Sequence, residues 1–231
     1  MYQPLAKYYD VLVKDDNATQ MWLDFFNQHQ AGKTILELAS GTGEITLALA
    51  DGFLIDASDI SKSMLNEVKN KDSNNKINDY LILDMENFSL NKKYDNIICF
   101  CDSINYLLDY QSLNAMFLSV YNHLNTDGVF MFDMHSLDRL KEFEQDYIET
   151  GNILNTDYQW SISTDGKYIY HHFAFYKDSG LVQEQHVQRV FKPELVIDLL
   201  EKMGFKIEVF TDFNKVGIVA GEKIFIVGRK I

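Results

Sequence analysis

Cysteine and proline each occur only twice in 231 residues, and 21 basic residues face 34 acidic ones. Each shortage excludes something. Cys99 and Cys101 stand two apart, a spacing that neither builds a disulfide framework nor makes a Cys-x-x-Cys redox or zinc pair. They are expected to be small core residues in a reducing compartment. No run approaches the roughly 18 uninterrupted apolar residues of a membrane helix, and the opening MYQPLAKYYD lacks the basic-then-apolar order of a secretory leader. A cytoplasmic location with no membrane partner is the expectation. A net charge of −13, with the lysines scattered rather than clustered, repels a phosphate backbone and argues against nucleic acid as a partner. With so little proline and 46% hydrophobic residues, the chain has the means to bury a sizeable core. A small molecule is the partner to look for.

What is present is alternation. Apolar runs at 34–39, 53–58, 79–83, 95–100 and 127–133 are separated by helical patterns near 44–50, 61–70 and 111–123, and a further helix runs from an N-capping Ser136 to about residue 149. This is the βαβ rhythm of an α/β, doubly wound parallel sheet. The texture then changes. Residues 153–191 hold three runs rich in β-branched and aromatic residues, ILNTDYQWSIS, KYIYHHFAFY and LVQEQHVQRVF, separated by Asp/Ser/Gly turns at 164–166 and 178–180, which predicts antiparallel hairpins. Pro193 opens a helix and Gly204 closes it, and strands follow near 205–211 and 223–229. The expectation is one domain over 1–231, with an antiparallel insert at about 151–191 overhanging the ligand crevice at the carboxyl edge of the sheet.

ILELASGTGEI, residues 35–45, carries the most information. An apolar run ending in an acid flows into a glycine turn and then a helix, with Glu37 four positions before Gly41. Gly41 and Gly43 permit backbone angles and close approaches that a Cβ would block, and the free N–H groups of the new helix face whatever lies over the loop. A dinucleotide fingerprint wants a third glycine three positions on, where Thr46 stands, and an acid about 20 residues onward; Asp59 follows Gly43 by 16.

The segment resembles motif I of class I S-adenosylmethionine (SAM) dependent methyltransferases, whose pattern is an acid, three residues, Gly, one residue, Gly. The likeness implies that Glu37, Ala39, Gly41 and Gly43 bind the cofactor. SDISKSML, residues 58–65, resembles the second motif, in which Asp59 takes both ribose hydroxyls beside Ile60 and Met64; Asp56 is the second candidate for that acid, and a helix cap is the plainer use of Asp59. LILDMENFSL, residues 81–90, places Asp84 and Met85 where the family holds adenine, or else Asp84 is a solvated turn residue. YDNIICFCDSINYLLD, residues 94–109, is similar to a bacterial small-molecule methyltransferase group with Cys-Asp-Ser-x-Asn-Tyr-Leu after strand four. That likeness implies Cys101 and Asp102 beside the sulfonium, and Ser103, Asn105 and Tyr106 on the substrate side. A helix cap with a packed tyrosine is the alternative. AKYYD, residues 6–10, resembles the family's entry segment, in which Tyr9 covers the methionine end of the cofactor; ordinary packing explains Tyr9 as well.

Alternation in the third run puts Glu184, His186 and Gln188 on one strand face, in a string, EQHVQR, that the same group shows. They would bind substrate or, at His186, take up a proton; solvated edge residues are the alternative. His135, just past strand five, is a second base candidate. His171 and His172 point to opposite faces, and no metal is expected. The resemblance implies a sheet of order 3-2-1-4-5-7-6 with strand seven antiparallel, and a SAM-dependent methyl transfer to a nitrogen or oxygen of a small molecule by a monomer or homodimer. A SAM-binding regulatory module without turnover, and an NAD(P)-dependent oxidoreductase, for which no Tyr-x-x-x-Lys pair is found, are the rival readings.

Overall fold

The computed structural model describes residues 5–13 and 15–231. Two helices, α1 (Ala6–Val13) and α2 (Asp16–His29), precede the first strand; Asp15 caps α2 by accepting from the N–H groups of Asn17 and Ala18. Then come β1 (Thr34–Glu37), α3 (Glu44–Leu49), β2 (Leu54–Asp59), α4 (Lys62–Lys71), β3 (Asp79–Ile82), β4 (Tyr94–Cys99), a 3₁₀ turn at Ser103–Tyr106, α5 (Tyr110–His123) and β5 (Leu124–His135). After α6 (Asp138–Glu142) follow β6 (Tyr147–Ile153), β7 (Thr156–Thr164), β8 (Tyr168–Lys177) and β9 (Gly180–Arg189). The chain ends with α7 (Pro193–Met203), β10 (Phe205–Thr211), β11 (Lys215–Val216) and β12 (Lys223–Lys230).

The main sheet has eight strands in the order β11-β10-β12-β5-β4-β1-β2-β3. β1 to β5 pair in parallel, and β12 lies antiparallel to both β5 and β10. The expected count of seven is one short, because the two-residue β11 folds back onto the end of β10 and extends the edge. Strands covered on both faces are mostly apolar along their length, and their period of two sends alternate residues to opposite layers. Leu36, Ile97, Phe130, Phe132, Ile224 and Ile226 join the layer closed by α5 and α7; Ile35, Ile98, Val129, Met131, Phe225 and Val227 join the layer closed by α2, α3 and α4.

A second sheet, β6-β7-β8-β9, is an antiparallel meander. It begins at Tyr147 rather than near 151. The helix expected to run to residue 149 stops at Glu142, since Tyr147 and Glu149 pair with Ile162 and Trp160 in the ladder. The first of the three sequence runs opens on a hairpin turn between β6 and β7: Leu154 and Asn155 take φ of 49° and 61°, a two-residue turn with both residues left-handed. The underside of this sheet packs on α1, where Tyr8 stacks on Phe175 at 4.6 Å and its hydroxyl meets Thr156 at 3.3 Å. Among the described residues no helix is long and apolar enough to cross a membrane.

Candidate active site

Between the carboxyl edge of the parallel strands and the underside of the second sheet lies a cleft of about 350 Å³, within the size range of small-molecule sites. Its floor is the turn after β1. Ala39, Gly41 and Gly43 all have positive φ, at 53°, 56° and 81°. A Cβ on Gly41 would stand in open space at the cleft, whereas one on Gly43 would lie 2.6 Å from Val68 Cγ1. Gly43 is therefore required by the approach of α3 to α4, its N–H is spent on Ser40 O at 2.9 Å, and it lies outside the lining. Asp59, at the end of β2, ties the turn down by accepting from Gly41 N at 2.9 Å and Ser61 N at 2.7 Å. Glu37 is buried and accepts from the Thr46 hydroxyl. Burial pushes its carboxyl up to about 8, against that hydrogen bond.

At the tip of β4, Cys101 and Asp102 are consecutive left-handed non-glycine residues, with φ of 59° and 58°. Such backbone persists only where its surroundings impose it. Asp133 imposes it from β5: its carboxylate accepts from Cys101 N at 2.7 Å, Asp102 N at 3.0 Å and Trp22 Nε1 at 3.1 Å. Lys223, opening β12, meets Asp133 at 3.3 Å and also bonds the Asp102 carboxylate. Burial pushes Asp133 up to about 6, while Lys223 pulls the other way. Burial also acts upward on Asp102, but His135 and Lys223 outweigh it and hold the carboxyl down at about 2. Cys99 is buried as expected, but Cys101 is exposed at the cleft, because the left-handed turn swings it out of the core.

The roof supplies rings. His135 Nε2 and His171 Nε2 approach Gln188 Oε1 at 2.9 and 3.1 Å, Gln188 Nε2 donates to Asp102 O at 3.4 Å, and Trp160 Nε1 donates to His171 Nδ1 at 3.3 Å. Burial lowers both imidazoles, His171 to about 4, so the His171 ring is neutral at pH 7. His186 is buried, pairs with Glu184 at 3.1 Å, and stands edge-on to Tyr106 and Phe173. Glu184 also accepts from Leu5 N at 3.0 Å, which links the roof to α1.

The cleft thus brings together Tyr9, Glu37, Ala39, Gly41, Cys101, Asp102, Ser103, Tyr106, His135, His186 and Gln188. Asp59, Ile60, Asp84 and Met85 sit outside the enclosed part, at or just past the ends of β2 and β3; Ile60 is exposed, and Asp84 is an exposed turn residue accepting from Glu86 N. Met64 is buried in α4. Asn105 is no lining residue: its amide is spent on Arg189 O and on His135 N, because the 3₁₀ turn drives it into the interior. The solvated-edge reading of β9 fails, since His186 and Gln188 are 2% and 6% exposed under the roof. Sequence reasoning missed Trp22, Asp133, Arg139, Trp160, His171 and Lys223. The signal available was an acid inside the apolar run VFMFDMH and a lysine opening an apolar strand.

The turn after β1, an acid at the end of β2 and an open crevice at the carboxyl edge make a floor suited to a nucleoside-bearing cofactor. Residues 35–128 match the model of a methyltransferase domain family. Over 241 residues the chain is 30% identical to the putative methyltransferase YqeM of Bacillus subtilis strain 168, covering 100% of this chain and 97% of the relative. The chain belongs to the methyltransferase family. This methyltransferase also superposes, with a TM-score of 0.84 and 27% identity, on a SAM-dependent methyltransferase from Clostridium acetobutylicum, covering 99% of this chain and 98% of that one. It shares its fold with the sugar N-methyltransferase KedS8 from Streptoalloteichus, at a TM-score of 0.75 and 21% identity over 94% and 88% of the two chains. SAM is the methyl donor of this family, and the NAD(P) reading falls. The residues present fit SAM: Ser40 Oγ, at the turn, is buried in the lining without a hydrogen-bond partner among the described residues, and the space over Gly41 is open.

Proposed function

We propose that the methyltransferase, acting as one domain, moves the methyl group of SAM to a nitrogen or oxygen of a small molecule held between the floor and the roof. The observation that carries this reading is the enclosure of one cleft by two unlike surfaces, an acidic glycine turn below and neutral imidazole, amide and indole groups above. When bound, SAM supplies an electrophilic methyl group on a sulfonium. Glu37, Ala39, Gly41 and the Cys101–Asp102 turn would hold its methionine end, with Tyr9 of α1 over it. Each oxygen of Asp59 accepts one backbone N–H, which leaves each a lone pair for a ribose hydroxyl, with Ile60, Met64, Asp84 and Met85 beside the adenosine. Gly43 shapes this surface through helix packing alone. Ser103, Tyr106 and Gln188 would face the acceptor, while Asn105 and Glu184 support them through His135 N and Leu5 N.

The chain's own part in the rate is alignment and the exclusion of water. Trp160, Ile162 and Phe173 wall the acceptor side with apolar surface, and a fixed in-line approach replaces an encounter that solution leaves to chance. A likeness at 21% identity to a sugar N-methyltransferase carries the fold alone, so the acceptor atom rests on the polar groups of the roof. A thermal-shift series tests the reading. SAM and S-adenosylhomocysteine (SAH) at ~100 times their Kd should each add about 2.7 kcal/mol to stability, and NADH and NADPH nothing. A shift with NADH and none with SAH would sink it. Binding of SAM with no SAH formed from any amine or alcohol offered would leave a regulatory module.

A further inference from the structure

The chain carries a net charge of −13, yet the charge left unmatched on the acceptor side of its cleft is positive. The acids of the lining are Asp15, Glu37, Glu44 and Asp102. The first three lie on the cofactor side, at the start of α2, the end of β1 and the start of α3. Asp102 is matched by Lys223, which also takes Asp133. The roof residues of the lining, Trp160, Ile162, His171, Phe173, His186 and Gln188, include no carboxylate. Arg139 remains. It belongs to α6, on the link between floor and roof, and its charge acts on both Asp102 and His135.

The Arg139 guanidinium lies 4.8 Å from the centre of the Phe143 ring, which shares an apolar cluster with Ile162 and Trp160 of the cleft wall. Among the described residues its head group bonds through Nη1 alone, to Glu142, with Glu222 at 3.7 Å from the same atom. Those glutamate side chains are 50% and 69% exposed, and pairs so open to water hold little. Nε–H and Nη2–H are left, on the edge opposite Nη1. They are parallel donors on a flat group, spaced to take two oxygens of a carboxylate or a phosphate. No other basic group of the lining has that freedom. Lys223 is spent on two carboxylates, and His171 stands between Trp160 and Gln188. His135 has Nε2 on Gln188 and Nδ1 facing Asp102 Oδ1 at 3.4 Å, and His186 pairs with Glu184.

We propose that Arg139 determines specificity by taking an oxyanion on the acceptor. The substrate class is then a small molecule with an apolar body and a carboxylate or phosphate, besides the nitrogen or oxygen that is methylated. The inference rests on the methyl-transfer reading and deepens it. The body lies against Trp160, Ile162 and Phe173, and the anion meets the free edge of the guanidinium. The cofactor favours the same choice, because SAM brings a sulfonium into the cleft and an anionic acceptor enters beside two positive charges.

The test is calorimetric titration of the SAH-saturated protein with matched probes, benzoate against benzamide and phenyl phosphate against phenol. The anionic member of at least one pair should bind about tenfold more tightly than its neutral partner, and high salt should shrink the advantage. Arg139→Gln should abolish it, whereas Arg139→Lys, a charge without the fork, should keep part of it. A preference for benzoate alone identifies a carboxylate, and for phenyl phosphate alone a phosphate. Equal affinities within both pairs, including no binding of any probe, overturn the proposal, as does a preference that survives in Arg139→Gln. The kinetic arm is SAH release from amines and alcohols offered with and without the anionic group that the titration selects. Wild-type kcat/KM should favour the anionic member, and Arg139→Gln should lose that advantage through KM. A loss in kcat with KM unchanged would overturn a role in recognition. Failure of the wild type to bind SAH would instead defeat the methyl-transfer reading, and the probes titrated into the free protein would still report on Arg139.

Discussion

The floor and the roof of the cleft are built by opposite means. On the floor, main-chain geometry does the shaping: positive-φ residues at 39, 41 and 43, and a carboxylate of β2 that accepts two backbone N–H groups. In the roof, side chains from five strands meet, and hydrogen bonds among rings, an amide and carboxylates set their orientation. A backbone-built surface needs few particular residues within a short span of chain. A side-chain network needs the whole tertiary fold before any one of its members has a partner. The strand-four tip belongs to both, since its left-handed backbone is held by a carboxylate from another strand.

The sharpest test of this contrast is Asp133→Ala. It removes the acceptor for two strained backbone N–H groups and the indole, and strips Lys223 of one of its two partners. Loss of one side of a buried ionic cluster costs about 3 to 5 kcal/mol, read as a fall in the denaturant midpoint. A loss under about 1 kcal/mol would mean that the Cys101–Asp102 turn is imposed by something other than Asp133.

Glu37 links the floor to pH. Its folded-state carboxyl lies at about 8 against an ordinary 4.5, so between those values the native state holds a proton that the unfolded chain has lost. Stability of the ligand-free protein therefore falls as pH rises through that window, by roughly 3 kcal/mol between pH 5 and 7.5. Glu37→Gln should flatten the melting temperature against pH, and an unaltered slope would move the cause elsewhere.

The two glycines divide the floor into support and surface. Gly43→Ala forces a Cβ against Val68 in a left-handed residue and should cost about 2 kcal/mol of stability, with SAH affinity changed indirectly. Gly41→Ala meets nothing, so it should cost about 1 kcal/mol from φ alone and weaken SAH binding more than Gly43→Ala weakens it per unit of stability lost. Chemical denaturation with calorimetric titration separates the two. The reverse ranking would exchange their roles.

For the two acids of β2, Asp59→Ala should weaken SAH binding by about 1 to 3 kcal/mol. Asp56, which accepts from Tyr94 Oη at 2.7 Å and Asn78 Nδ2 at 2.6 Å, should lose stability instead when replaced by Ala. The smallest effect is expected at exposed Asp84, where Asn in its place should alter SAH affinity by a few tenths of a kcal/mol. A loss there equal to that at Asp59 would show that the adenosine end is gripped as firmly as the ribose.

Local signals made the floor legible. The acid, glycine turn and helix start of residues 35–45 lie within three consecutive elements, and the run-and-turn texture announced the second sheet. Legibility failed where two local signals competed, as after Ser136, where the helical pattern yielded to a ladder with β7 that only the folded sheet supplies. It failed too inside 153–163, where Leu154 and Asn155 make a turn without glycine or proline to mark it.

Taken alone, the amino-acid sequence determined the parallel α/β core, the glycine turn that opens toward a cofactor, and the acids at the strand ends. Hydrophobic period, glycine and capping residues act over a few positions, and their effects do not wait for the rest of the chain. Tertiary structure alone decided which carboxylate holds the strand-four tip, that Lys223 reaches both Asp102 and Asp133, and that Trp160, His171, Gln188 and His135 meet in one run of hydrogen bonds. Those contacts join residues up to 121 positions apart, and no pattern along the chain records which distant donor will find which acceptor.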